Sequence, residues 1–229
     1  MIISSNTDYS FVTDGGPIYH ETMPERFIVE PWNAFSSLVF LIPVIFFLIT
    51  LRGKYKEYRF LVYFALPLLF TGGIGSALYH AFRSTPWLMA LDVFPMFVMT
   101  LGVSWYFMQK LFGNWYFPIL ILAIAAFGRW LIFDSIPIQQ AINAGYFIAG
   151  LIIFVPALLY ARITKWKYSK TLLFAAFFLS ISLFFRFYDD NPKQFMAQGV
   201  HWLWHVFSAV GAIAAGQYIV KTNKTAETS

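Results

Sequence analysis

After residue 30 the chain is built from seven nearly continuous apolar runs, at about 33–51, 60–81, 87–109, 115–133, 138–161, 169–187 and 198–220, each close to the roughly 20 residues a helix needs to cross a bilayer. The apolar residues within each run are continuous rather than spaced at helical period, so the signal is hydropathy and not amphipathicity. Pro43, Pro67, Gly72, Gly73, Gly75, Pro95, Pro118 and Pro156 interrupt the runs, as transmembrane helices tolerate. The break between the fourth and fifth runs, at Arg129, Asp134 and Pro137, is the least regular. Only 12% of residues are charged and 59% are hydrophobic, against about 25% charged in an ordinary soluble domain. The expected fold is an all-α polytopic membrane protein, a single seven-helix bundle over residues 1–229 with a polar cap at 1–30 and a short tail after 220.

Loop charge orients the bundle. Arg52, Lys54, Lys56, Arg59, Lys110, Arg162, Lys165, Lys167, Lys170, Lys221 and Lys224 fall on one side, against Arg26, Arg83, Arg186 and Lys193 on the other. Positive residues stay in the cytoplasm, which places the N-terminus outside and the C-terminus inside and requires an odd number of spans. The net charge of +5 therefore reflects topology and does not mark a nucleic-acid partner. With no cysteine there is no disulfide and no thiolate metal ligand. No basic start followed by an apolar core marks a cleavable leader at Met1–Glu30. That, with short loops throughout, suits a bacterial inner membrane, an internal eukaryotic membrane being the other possible host. No obligate protein partner is evident.

Against this apolar background the polar residues inside the runs stand out. His201 and His205 are one helical turn apart and leave the same face of the last helix. Two readings are open: hydrogen-bonded structural residues, or a metal-binding pair. Span order puts further polar groups at the same depth, just below the outer surface: Glu30 and Asn33 at the start of the first helix, Ser76 and His80 at the end of the second, and Asp92 a turn into the third. Each has a structural alternative. Ser76 with Gly72, Gly73 and Gly75 suits close helix packing, Asp92 could pair with Arg83 or Arg186, and Glu30 suits a helix N-terminus. Their shared depth favours one site. Three histidines with an open fourth position are a catalytic zinc arrangement, beside which a carboxylate moves protons and a hydroxyl stabilises an oxyanion. The fourth histidine, His20, falls in the N-terminal loop and reads as a surface or cap residue.

Four segments, Glu30-Pro-Trp-Asn33-Ala-Phe-Ser36, Gly75-Ser76-Ala-Leu-Tyr-His80, Leu91-Asp92-Val-Phe-Pro95 and His201-Trp-Leu-Trp-His205, resemble in order and spacing the motifs of the alkaline ceramidases, a branch of the seven-helix CREST hydrolases. The resemblance implies a zinc amidase that cleaves ceramide, or a related lipid amide taken from the bilayer, to a sphingoid base and a fatty acid. Carried over, His80, His201 and His205 match the zinc ligands, Ser76 and Asp92 match the polar residues assisting the zinc-bound water, and Glu30 matches an acidic calcium ligand. In the family's N-terminal Asp-Trp-x-Glu-x-Asn pattern only Glu21 has a counterpart here, within Ile18–Met23; Glu21, Glu30, backbone carbonyls and Asp14 are the oxygens on offer to Ca²⁺, which takes six to eight. The superfamily's adiponectin-receptor-like members make a lipid-binding receptor or sensor the alternative function. A proton or metal transporter would continue the polar set toward the inner side; here the set is confined to the outer third, and Arg129, Gln139, Gln140 and Asn143 remain without a role.

Overall fold

The computed structural model describes residues 12, 14–135 and 138–226, and among these it is all helix, turn and loop, with no strand. Seven helical segments follow in order: α1, Pro31–Thr50; α2, Leu61–Phe82; α3, Pro86–Phe112; α4, Tyr116–Ser135; α5, Ile138–Ile163; α6, Ser169–Tyr188; and α7, His201–Ala226. The expected boundaries fall within a few residues of these, the largest shifts being at α7, which begins on His201 and runs on to Ala226. Six stretches are long and apolar enough to cross a membrane; α4 contributes a shorter apolar stretch, Tyr116–Gly128.

α1 is not uniform. Its central turn, Leu38–Phe40, tightens to 3₁₀ geometry, while α2 opens with a π turn at Leu61–Ala65. Pro31 occupies the first position of α1, where its missing N–H costs nothing. The adjacent Glu30 does not cap the helix with its side chain. That role falls to Glu21, whose carboxylate accepts from the backbone N–H groups of Trp32 at 2.6 Å and Asn33 at 2.9 Å. A residue of the N-terminal loop thus fixes the start of the first helix.

Packing is inverted relative to a water-soluble domain. Large apolar side chains such as Ile42, Ile49, Leu120, Ile124, Phe174 and Phe177 face outward, while Asp14, Glu21, Glu30, Arg83 and Arg186 are buried. An apolar outside over a polar inside is what a hydrocarbon solvent selects. The apolar core fills the half of the bundle away from these charges, with Phe47, Leu66, Phe107, Tyr160 and Tyr218 among its members. α2 and α3 pack along one another, as do α6 and α7, while α1 lies against both α2 and α7.

One contact sets the register between α2 and α3. Pro95 has no N–H to return to the Leu91 carbonyl four residues back, and that carbonyl lies directly against Gly75, where any β-carbon would collide with it. The next residue on each helix is a site residue, Ser76 and Asp92. Gly75→Ala is expected to push the helices apart at a cost of about 1–3 kcal/mol, as overpacking does. A lowered thermal midpoint in detergent would register it, and an unchanged midpoint would show that the contact is not limiting.

Candidate metal centre

The helix ends of α1, α2, α3, α6 and α7 that carry the polar residues converge at one end of the bundle. His80, His201 and His205 are all buried, and each offers one ligand nitrogen within 4.8 Å of the other two. Their rings form a near-equilateral triangle, with centroids 5.3, 5.2 and 5.0 Å apart. No other such cluster of histidine or acidic residues occurs among the described residues.

Two of the three imidazoles are held from behind, and the third is positioned through its backbone. His80 Nδ1 donates to Glu30 Oε2 at 2.5 Å, which leaves Nε2 as the lone-pair nitrogen; that atom is buried and without a hydrogen-bond partner. His205 Nδ1 faces the hydroxyl oxygens of Ser36 at 2.7 Å and Ser37 at 3.4 Å. Both hydroxyls have the Asn33 carbonyl as acceptor, at 3.1 and 2.8 Å, so their oxygens are available to receive Nδ1–H. His201 Nδ1 is likewise buried without a partner. Its position is set by Asp189, whose Oδ1 accepts from the N–H groups of Val200 at 2.7 Å and His201 at 3.0 Å and so caps α7. Gly199, at φ +74°, makes the turn before it; a β-carbon there would meet Asp189 and His20. A carboxylate or hydroxyl that fixes the tautomer of a histidine, with the second nitrogen left bare, is the outer shell metal sites require. The donor set, three imidazoles, suits zinc, which in catalytic sites takes water or substrate as its fourth ligand.

Ser76 and Asp92 lie beside this triangle. Ser76 Oγ is 3.0 Å from Ser37 Oγ. Asp92 is half-buried, in reach of Ser76 and in electrostatic range of His80 and Arg186. Arg83, one of two expected partners for Asp92, is committed elsewhere: its guanidinium bonds Asp14 through Nε at 2.6 Å, the Pro17 carbonyl through Nη2 at 2.8 Å, and Glu30 through Nη1. Burial opposes the charge on Arg83, but these carboxylates outweigh it and hold its pKa above the ordinary value. Burial would likewise raise Glu30, but His80, Arg83 and Thr22 outweigh it and keep the carboxyl below its ordinary value.

The acidic residues assigned to calcium do not fit that ion. Both oxygens of Glu21 accept backbone N–H groups. Glu30 Oε1 receives Thr22 at 2.5 Å and Arg83, and its Oε2 receives His80. Asp14 Oδ1 receives Gly16 at 2.7 Å and its Oδ2 receives Arg83. Every carboxylate oxygen is taken by a donor, and the positive charge they enclose is a guanidinium. A cation needing six to eight oxygens finds no cage there.

His20 is half-buried in the N-terminal loop; its N–H donates to Asp189 at 3.3 Å, and its ring is not part of the triangle. The loop also supplies a residue the sequence did not flag. Tyr19 is buried with its ring centroid 4.0 Å from that of His201 and 5.2 Å from that of His80, closing the cluster from the loop side; burial raises its phenol well above the ordinary value. Nothing in the local sequence marks Tyr19 or Asp189, because their roles depend on residues far along the chain. Ser36 and Ser37 were legible in principle, sitting a helical turn beyond Asn33. The side chains of Arg129, Gln139, Gln140 and Asn143 lie outside the described residues. Fold and site together define a polytopic helical membrane protein with a buried three-histidine centre at one end of its bundle. No protein-family model and no curated protein sequence matches the chain.

Proposed function

We propose that this protein is a zinc-dependent intramembrane amide hydrolase that cleaves ceramide or a related lipid amide to a sphingoid base and a fatty acid. In this reading it has seven spans, its N-terminus outside and its C-terminus in the cytoplasm, in a bacterial inner membrane. The observation that carries the proposal is the buried triangle of His80, His201 and His205, two of whose nitrogens are orphaned unless an ion takes them. Zinc held there would supply Lewis acidity and an activated water at neutral pH.

The remaining chemistry belongs to the chain. Asp92 is placed to take a proton from the attacking water as it adds to the amide carbonyl, and to return it to the leaving nitrogen as the C–N bond breaks. Ser76, across from Asp92, donates to the oxygen of the tetrahedral intermediate. Glu30, Ser36 and Ser37 hold two imidazoles in the tautomer that leaves a lone pair inward. Tyr19 and the loop around it exclude bulk water, which strengthens every electrostatic interaction inside.

The test is turnover of a ceramide by purified protein stripped with a chelator and then re-supplied with zinc or with calcium. Zinc alone is expected to restore fatty-acid release, and added calcium to change neither rate nor thermal midpoint. Absence of turnover by zinc-loaded protein across a panel of lipid amides would overturn the hydrolase and favour a lipid-binding receptor using the same residues.

A further inference from the structure

Two guanidiniums flank the ring of Tyr19, with Cζ atoms 5.6 Å (Arg83) and 5.5 Å (Arg186) from its centroid. They are in opposite states. Arg83 is saturated with carboxylate and carbonyl acceptors. Arg186, in the last turns of α6 and only 2% exposed, has Nε and Nη1 buried with no acceptor among the described residues. It rests on aromatic faces, Tyr19 on one side and Tyr146 of α5 at 5.1 Å on the other, and Tyr146 in turn packs on Trp204 of α7. Tyr146 also shares a side-chain hydrogen bond with the guanidinium, and Asp92 and Asp190 act on it across space. An aromatic face attracts the charge but accepts no in-plane N–H. A buried donor left without a partner is costly, more so when charged.

The guanidinium also lies at the metal centre. It is within electrostatic range of His201, His205 and Asp92, one aromatic ring away from the histidine triangle. Nε–H and Nη1–H leave different edges of the planar cation, so each offers a carboxylate one charge-assisted N–H donor. We propose that Arg186 is a carboxylate-binding subsite of this centre: it receives the acidic group of a long-chain amphiphile. The carboxylate has two possible sources, an acidic amide substrate of the N-acyl amino acid type or the fatty acid released by hydrolysis. The subsite goes beyond the hydrolase reading; only the choice of source rests on it.

The test separates the two claims by starting without turnover. Binding of palmitate, N-palmitoylglycine and the neutral N-palmitoylethanolamine to detergent-solubilised, zinc-stripped full-length protein compares acid with neutral at equal chain length. Wild type is expected to prefer at least one of the acids over the neutral amide by roughly tenfold or more, the scale of a charge-assisted hydrogen bond. Arg186→Gln should abolish the preference and Arg186→Lys should retain part of it. Equal affinity for all three ligands, or a preference that survives in Arg186→Gln, overturns the subsite whatever the protein hydrolyses. Thermal midpoints guard against a folding artefact. Because Nε and Nη1 have no internal acceptor to lose and a glutamine amide can keep the hydrogen bond with Tyr146, Arg186→Gln is expected to melt no lower than wild type without ligand; a midpoint well below it would make Arg186 a structural residue and overturn the proposal. With zinc restored, faster cleavage of N-palmitoylglycine than of the ethanolamide supports the subsite and assigns it to the substrate. Palmitate inhibition that weakens in Arg186→Gln supports it and assigns it to the product.

Discussion

Replacing His205 by alanine is expected to empty the metal centre, with zinc falling from about one per chain to near none and ceramide turnover dropping roughly a hundredfold or more. The lower bound follows from outer residues of metal sites, whose loss alone costs about 10–100-fold in affinity or activity; a direct ligand costs more. The reason is geometric. With ligand nitrogens of His80, His201 and His205 within 4.8 Å of one another, removal of one leaves two donors, too few to hold the ion against water. Metal analysis of purified His205→Ala beside wild type checks it. Unchanged zinc content would remove His205 from the ligand set and, with it, the assignment of α7 as the helix that supplies two ligands.

The second large effect is on stability. Arg83→Met should cost about 3–5 kcal/mol, the scale seen when one partner of a buried ion pair is removed. Arg83 is fully buried and bonds both Asp14 and Glu30; without it two carboxylates remain buried with one cation fewer. Glu30 would also lose the charge that balances it while it holds His80, so zinc affinity should fall as well. Denaturation in mild detergent measures the first effect and zinc titration the second. Adding Asp14→Asn to Arg83→Met should recover part of the stability, because it removes one of the stranded charges. A double variant no more stable than the single one would show that Arg83 acts by packing rather than by charge.

These two predictions draw on different layers of information. The histidines were legible early: polar rings in an apolar run are costly, so their presence needs a reason, and span order alone put His80, Ser76 and Asp92 at the depth of His201 and His205. The helices were legible for the same reason, since hydrocarbon demands continuous apolar runs with internally satisfied backbone. The ion pairs were not legible. Arg83 stands nine residues before Asp92 in sequence, a near candidate for its partner, yet it reaches back 69 residues to Asp14. Glu21 and Glu30 look like oxygen donors for a cation when read along the chain; in the fold their oxygens already receive backbone, hydroxyl, imidazole and guanidinium donors.

The sequence by itself determined the apolar helices, their approximate ends and the residues that share one depth, because hydropathy and the helical repeat are local properties. Only the tertiary structure decided that the histidines meet as a triangle beside Glu30, Ser36 and Ser37, that Tyr19 folds in from the loop, and that one guanidinium is saturated while the other keeps two nitrogens without acceptors. Those outcomes depend on which donors and acceptors the packing of distant helices brings within about 3 Å, the range over which hydrogen bonds form. Depth along a helix axis can be read from a sequence; which neighbours surround each helix cannot.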